Sequence, residues 1–233
     1  MTGPLIKLFT GADPFDIAIS FFAVAVLLLI VLPLHECAHG YMAKYLGDDT
    51  AERAGRLTLN PLAHLEPMGA LFMLFIPIGW GKPVPVDERR CDKVKPRTAA
   101  ALIAAAGPLS NLVMAYVFVV LYKLAFVILI GDGSQGIDMS SGIVYLPTAF
   151  YYIAMLNIYL AVFNLFPIPP FDGWNIIQLL LKPRQIIWVA ERQNIISLLF
   201  LAVLFITPVV IGIISFVSGG VMNALDFLTG FIH

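Results

Sequence analysis

The 233-residue chain is 60% hydrophobic and only 12% charged, with a mean hydropathy of +0.89, which excludes an ordinary soluble globular domain. A formal net charge of −1 offers no basic surface for nucleic acid, and no nucleic-acid partner is expected. Cys37 and Cys91 stand far apart in unlike surroundings, so no disulfide framework is expected either.

The first apolar run begins near Phe15 and is predicted to continue as a helix over 15–46, with Gly47-Asp48-Asp49-Thr50 as its stop. At about 1.5 Å per residue such a helix outreaches a bilayer core of roughly 30 Å, so it tilts or projects, and Pro33 is placed to kink it. No small-residue cleavage site follows a short apolar segment, and the run is expected to be retained as a span. Within it stands Leu34-His35-Glu36-Cys37-Ala38-His39, an H-E-x-x-H. Imidazoles four residues apart share one helix face. That spacing lets His35 and His39 grip one zinc ion, while Glu36 can accept a proton from water activated there. Two of the chain's four histidines occupy this motif, at a depth where ionisable groups face a partner or a water-filled cavity. Cys37 falls on another helix face and is read as a small packing residue.

Residues 54–86 do not form a simple span. Arg56-Leu57-Thr58-Leu59-Asn60-Pro61 has short-strand character ending in a turn, and Met68 to Trp80 is apolar but broken by Gly69, Pro77 and Gly79. Its length suits a re-entrant or interfacial segment. Pro83-Val84-Pro85-Val86 is extended and cannot be a central strand. His64 lies in a turn-rich stretch that can dip toward the histidine pair; structural hydrogen bonding is its default role, a metal role the alternative.

The later spans are predicted over 98–130, 147–166 and 195–217, with a short amphipathic segment at Trp174–Leu181 and an interfacial helix in the tail from Val221 to Ile232. Lys82, Arg89, Arg90, Lys93, Lys95 and Arg97 outnumber Asp87, Glu88 and Asp92 in one connection, and Lys182, Arg184 and Arg192 mark another. The loop from Gly131 to Leu146 holds Asp132 and Asp138 and no Lys or Arg. Positive charge on the inner side makes the first two connections cytoplasmic and the third external. The His39 end of the first helix and the end of the third span then share the cytoplasmic side. That convergence singles out Asp172, after Pro167-Ile168-Pro169-Pro170-Phe171, as a third zinc ligand, since a catalytic site usually takes three. Its alternative role is a helix N-cap.

The H-E-x-x-H, the downstream Asn164-x-x-Pro-x-Pro-Pro-x-Asp172-Gly173, Gly55–Pro61, Gly79–Val86 and Ala106-Gly107-Pro108-Leu109-Ser110-Asn111 resemble, in type and order, the site-2 protease family of intramembrane zinc metalloproteases. The resemblance implies an all-α polytopic membrane protein of about four transmembrane helices with a re-entrant or short β segment, in a single domain over 1–233. No stretch accommodates the PDZ or CBS modules of many relatives, so it reads as a minimal catalytic core. Phe171 departs from the family's usual Leu or Met. The resemblance implies one Zn2+ per chain held by His35, His39 and Asp172, with Glu36 as catalytic base. The substrate implied is a single-pass membrane protein cleaved within or near its transmembrane segment. A helical amide is shielded, so the substrate must unwind, and the extended segments at 56–59 and at Pro83, Val84, Pro85 and Val86 are candidates to pair with it as an added strand. Asn111 and Asn164 are candidate partners for substrate backbone or oxyanion, or else interhelical hydrogen-bonding groups. A prokaryotic plasma membrane, with the site toward the cytoplasm, is the expected location, and a regulatory membrane partner is left unnamed. The competing classes are a metal-ion transporter, which has no need of Glu36, and a catalytically silent relative.

Overall fold

The structure, a computed structural model, describes residues 3–75, 81–130 and 142–232. Among them every regular element is helical: α1 (Pro4–Phe9), α2 (Pro14–Val26), α3 (Leu32–Leu46), α4 (Thr50–Arg53), α5 (Pro67–Phe75), α6 (Pro96–Ile130), α7 (Tyr145–Asn164), α8 (Asp172–Ile177), α9 (Pro183–Glu191), α10 (Gln193–Ile206) and α11 (Pro208–Leu228).

α2 and α3 form one apolar rod, Pro14–Leu46, joined by a π-helical turn at Leu27–Val31. Pro33 is its physical cause: it has no N–H for the Leu29 carbonyl, and the N–H of Leu32 instead reaches Leu27 O. The irregularity ends just before the H-E-x-x-H, where the helix becomes regular again. At the other end Gly47 adopts φ 114° and stops the helix. Buried Asp48 then ties the chain down, accepting from the N–H and hydroxyl of Thr50 at 3.0 and 2.5 Å and from the N–H of Asp87 at 2.6 Å.

The short β segment expected within 54–86 is not present among the described residues. The strand-like stretch fails because its carbonyl at Thr58 is claimed by side chains, the Cys37 thiol at 3.1 Å and the His64 ring at 2.7 Å, rather than by a neighbouring strand. Asn60 then accepts from Leu62 N–H and opens a 3-10 turn at Pro61–Ala63. The described part of α5 has nine residues and is about 14 Å long, less than the bilayer core. A re-entrant element is unsupported; Gly79 and Trp80 lie outside the described residues, as do Asp132 and Asp138.

α6 is the central strut. Its Ala-rich first half lets α3 approach closely, with Ala99 and Ile103 packing on Ala43, Leu46 and Cys91. α7 runs antiparallel to it: Ala115 packs on Ile158 and Val162, and Tyr122 meets Tyr151 at 5.6 Å. The fourth span differs from the predicted 195–217. Thr207 is extended (φ −121°, ψ 146°) because it precedes Pro208, so the apolar run breaks into α10 and α11. α11, long and apolar enough to cross, absorbs most of the tail expected to be interfacial, and α9 and α10 meet at a 72° bend. Among the described residues four helices can thus cross a membrane by length and composition, the pattern of a multi-pass integral membrane protein. The basic connections gather at one end: Asp92 N–H donates to Leu46 O at 3.1 Å, Lys93 Nζ bonds Tyr45 O, and Arg97 bonds Leu181 O.

Candidate metal centre

Helical spacing on α3 stacks His35 and His39 on the face turned toward α6, with their Nε2 atoms 3.1 Å apart. His39 is oriented from behind by Ile103 O, 2.7 Å from Nδ1. A carbonyl only accepts, so Nδ1 carries the proton and Nε2 presents a bare lone pair to the site. Gly107 on α6 makes room for both rings. A Cβ there would overlap His39 Nε2 and lie 2.6 Å from His35 Cε1.

The third group arrives from the far side of the sequence. α7 ends at Asn164, and the proline-rich turn folds tightly, with Ile168 N–H on Phe166 O at 2.9 Å, Phe171 N–H on Ile168 O at 3.1 Å and a cis Pro169–Pro170 bond. α10 clasps this turn: Ser197 Oγ donates to Pro169 O at 2.8 Å, and Phe200 packs on Phe171 at 5.3 Å between ring centroids. Phe171, the departure noted in the sequence, thus acts in packing. Gly173 fits where a Cβ would meet the Phe166 carbonyl at 2.5 Å. The result aims Asp172 inward. It is the first residue of α8, with Phe171 at the N-cap and no side-chain cap bond, so the N-cap alternative is not realised.

Asp172 Oδ2 lies 3.5 Å from the Nε2 of His35 and 3.5 Å from that of His39. Burial works against ionisation of Asp172; a proton on the imidazoles facing it outweighs that burial and holds the carboxyl at about 2, and where both Nε2 atoms are bare a cation takes that place. The three donor atoms fit a zinc ion. Tetrahedral zinc with bonds of about 2.1 Å separates its ligands by about 3.4 Å, close to the 3.1, 3.5 and 3.5 Å found here. Asp172 Oδ2 is also buried without a well-formed hydrogen bond, as a carboxylate reserved for a cation would be.

Glu36 sits beside this group, 9% exposed, its Oε2 accepting from the backbone N–H of Val84 at 2.8 Å. A buried carboxylate one residue from His35 and three from His39 is equipped to exchange protons with a molecule bound at an ion those imidazoles could hold.

The model of Peptidase family M50 matches residues 22–207, from α2 to the end of α10. The chain belongs to peptidase family M50. It is 38% identical over 182 residues to "Putative zinc metalloprotease YwhC" of Bacillus subtilis, covering 78% of each chain. It is 32% identical over 187 residues to "Putative zinc metalloprotease Rip2" of Mycobacterium tuberculosis, over 79% of this chain and 66% of that protein. The Rip2 protein of Mycolicibacterium smegmatis is 31% identical over 183 residues, 77% of this chain and 65% of that one. No solved structure matches the chain. The site-2 protease resemblance is therefore upheld at the level of the family.

The other candidate residues of this M50 chain divide. His64 is fully buried but belongs behind the motif helix, donating from Nε2 to Thr58 O with the Cys37 sulfur 4.0 Å away, and is not one of the clustered donors. Asn111 is fully buried, one helical turn beyond Gly107, and neither its amide nitrogen nor its oxygen has a partner among the described residues. Asn164 Nδ2 donates to Leu160 O of its own helix at 3.0 Å. Neither asparagine forms an interhelical bond among the described residues. Pro83 is exposed and Val84 buried, and the Val84 N–H is directed at Glu36 rather than outward. Two contributors had no assigned role in the sequence: Gly107, quoted there only as part of the Ala106–Asn111 motif, and Ile103, whose part is played by a backbone carbonyl.

Proposed function

We propose that this chain is a zinc-dependent intramembrane endopeptidase, cutting a peptide bond within or near the transmembrane segment of a single-pass membrane protein. The observation that carries it is Glu36 beside the His35, His39 and Asp172 donors, on a helix long and apolar enough to cross the bilayer. His35, His39 and Asp172 would hold one Zn2+ per chain, which when bound supplies Lewis acidity at the scissile carbonyl and makes a nucleophile of water at neutral pH. Glu36 takes the proton of the attacking water and later delivers it to the leaving amine. Ile103 O keeps His39 in the tautomer and orientation a ligand needs. The unpaired amide of Asn111, and Asn164 once it leaves Leu160, are donors for substrate backbone or for the oxyanion. The substrate unwinds locally, and its freed groups find partners along the extended 82–87 segment, at Pro83 and Val84 through carbonyls, since the Val84 N–H is engaged.

The site is placed toward the cytoplasmic side of a prokaryotic plasma membrane. Basic connections gathered at the Leu46 end of α3 support the orientation, and bacterial relatives support the membrane. Glu36→Gln tests the function with the full chain in lipid nanodiscs. The variant retains zinc and loses cleavage of a membrane-protein substrate that wild type cuts. Cleavage by Glu36→Gln at the wild-type rate refutes the proposal.

A further inference from the structure

We propose that the backbone N–H of Val84 is a positioning group for Glu36, anchoring one carboxylate oxygen and leaving the other to handle the proton. The inference rests on the peptidase function proposed above and adds a residue to its machinery.

Glu36 Oε2 and Val84 N lie 2.8 Å apart, and both residues are buried, 9% and 7% exposed. Val84 is flanked by Pro83 and Pro85, neither of which has an N–H. Across 83–85 the chain therefore has a single donor, and that donor is directed at Glu36. The flanking rings also restrict the backbone: each proline fixes its own φ, and Pro85 holds Val84 in the extended region. A donor set in such a strap has fewer local rotations open to it than one in an ordinary loop.

The strap is pinned at both ends by contacts independent of the metal centre. Lys82 N–H donates to His64 O at 2.8 Å, and the Arg56 guanidinium donates to Lys82 O at 2.7 Å. Beyond it, Asp87 N–H donates to the buried Asp48 carboxylate at 2.6 Å. His64, which the metal centre does not use, thereby acquires a structural role: its ring holds the Thr58 carbonyl near α3 while its own carbonyl holds the strap. Gly40, one turn past Glu36, lets the strap lie against the helix. A Cβ at Gly40 would clash with Leu57 Cδ2 and press to 3.2 Å from Val84 Cγ1 and 3.3 Å from Ala51 Cβ, so the glycine admits Leu57 as well as the strap.

A glutamate reaches its target through three rotatable bonds, and general-base catalysis needs the carboxylate held in reach of the proton it removes. The Val84 N–H is the only hydrogen-bond partner of the Glu36 carboxylate among the described residues. A charge-assisted bond from a doubly pinned strap fixes the direction of the second oxygen.

The first test reads the contact without activity. Because Pro83 and Pro85 carry no amide hydrogen, a fragment reporting on 83–85 contains one exchanging amide, that of Val84. Hydrogen exchange of the full chain in detergent is compared between wild type and Glu36→Ala; the Val84 amide is expected to exchange at least about ten-fold faster in the variant. Equal exchange overturns the inference. The second test replaces the Val84 amide with an ester, which removes the N–H and keeps the side chain. Zinc content stays at the wild-type level, kcat falls by about ten-fold or more, and KM stays within about two-fold. Wild-type kcat, or a rise in KM alone, overturns the positioning role. If the ester chain loses zinc, the exchange comparison decides by itself. If exchange responds to Glu36→Ala but wild type releases no more product than Glu36→Gln, the endopeptidase proposal fails while the anchoring contact stands.

Discussion

Gly107→Ala adds one methyl group at the point where α6 meets the two imidazoles. The built Cβ lies 2.5 Å from His39 Cε1 and 2.6 Å from His35 Cε1. Carbon atoms in contact prefer about 3.5–4.0 Å, so the methyl demands a retreat of about 1 Å from each ring. His39 has little freedom to give it, because Ile103 O holds its Nδ1 at 2.7 Å. A metal site tolerates ligand errors of only about 0.2 Å. Changes to outer partners alone cost about 10–100-fold in metal affinity, so displacing two of three ligands is expected to cost about 100-fold or more. The assay is zinc per chain of detergent-purified protein after equilibration with a graded chelator series. Gly212→Ala on α11 is the matched control, because nothing lies within 4 Å of a Cβ there. It should bind zinc as wild type does. Zinc affinity of Gly107→Ala within about three-fold of wild type would show that the rings are not held by this close approach, and the account of the site's assembly would fall.

Asp172→Ala and His39→Ala are each expected to reduce zinc from one per chain to a small fraction under the same chelator competition; full retention by Asp172→Ala would place the third ligand elsewhere. Asp48 gives a pH-dependent prediction. Its burial opposes ionisation, but the Asp87 N–H and the Thr50 hydroxyl and N–H outweigh it, with Arg90 adding attraction, and the carboxyl is held below its usual value. A folded value below the unfolded one, about 3.9, means the stabilisation is complete above that pH and is lost as pH falls through the folded value. Thermal unfolding in detergent should therefore show wild type losing stability below about pH 4, while Asp48→Asn, weaker by about 1–2 kcal/mol at neutral pH, loses less over that range. Parallel pH curves for the two proteins would show that Asp48 does not titrate with folding.

The parts of the fold legible in the sequence were those with one cause per residue. Apolar runs of sufficient length announced the rods that became Pro14–Leu46, α6 and α7, and Gly47 stopped the first where expected. The fourth span was misplaced because hydropathy barely changes across Thr207-Pro208, whereas the missing N–H and the extended residue before it decide where a helix can restart. The strand expected at Arg56–Leu59 failed for a non-local reason. Strand character in a short segment is realised only if a partner strand takes its backbone groups, and here Cys37 and His64 take the Thr58 carbonyl first. Cys37 was read as a packing residue and is also a donor, a role visible only once residue 58 lies against α3.

At the metal centre the same distinction separates what a motif can carry from what it cannot. His35, Glu36, His39 and Asp172 are singled out by side chains of rare chemistry, and the fold gathers the donor atoms of His35, His39 and Asp172 within 4.8 Å of one another. Ile103, Gly107 and Val84 act through a carbonyl, the absence of a side chain and an N–H. The first and last are features that nearly every residue possesses, so residue identity carries almost no signal for them. What the sequence does display around Val84 is negative: prolines on both sides remove the neighbouring donors and leave a single N–H in a stiff segment. Paired prolines beside a candidate base are thus better understood as selecting one backbone donor than as marking a loop. That accounts for why Pro83-Val84-Pro85, read first as a surface for substrate, turns its one N–H inward to the carboxylate that would do the chemistry.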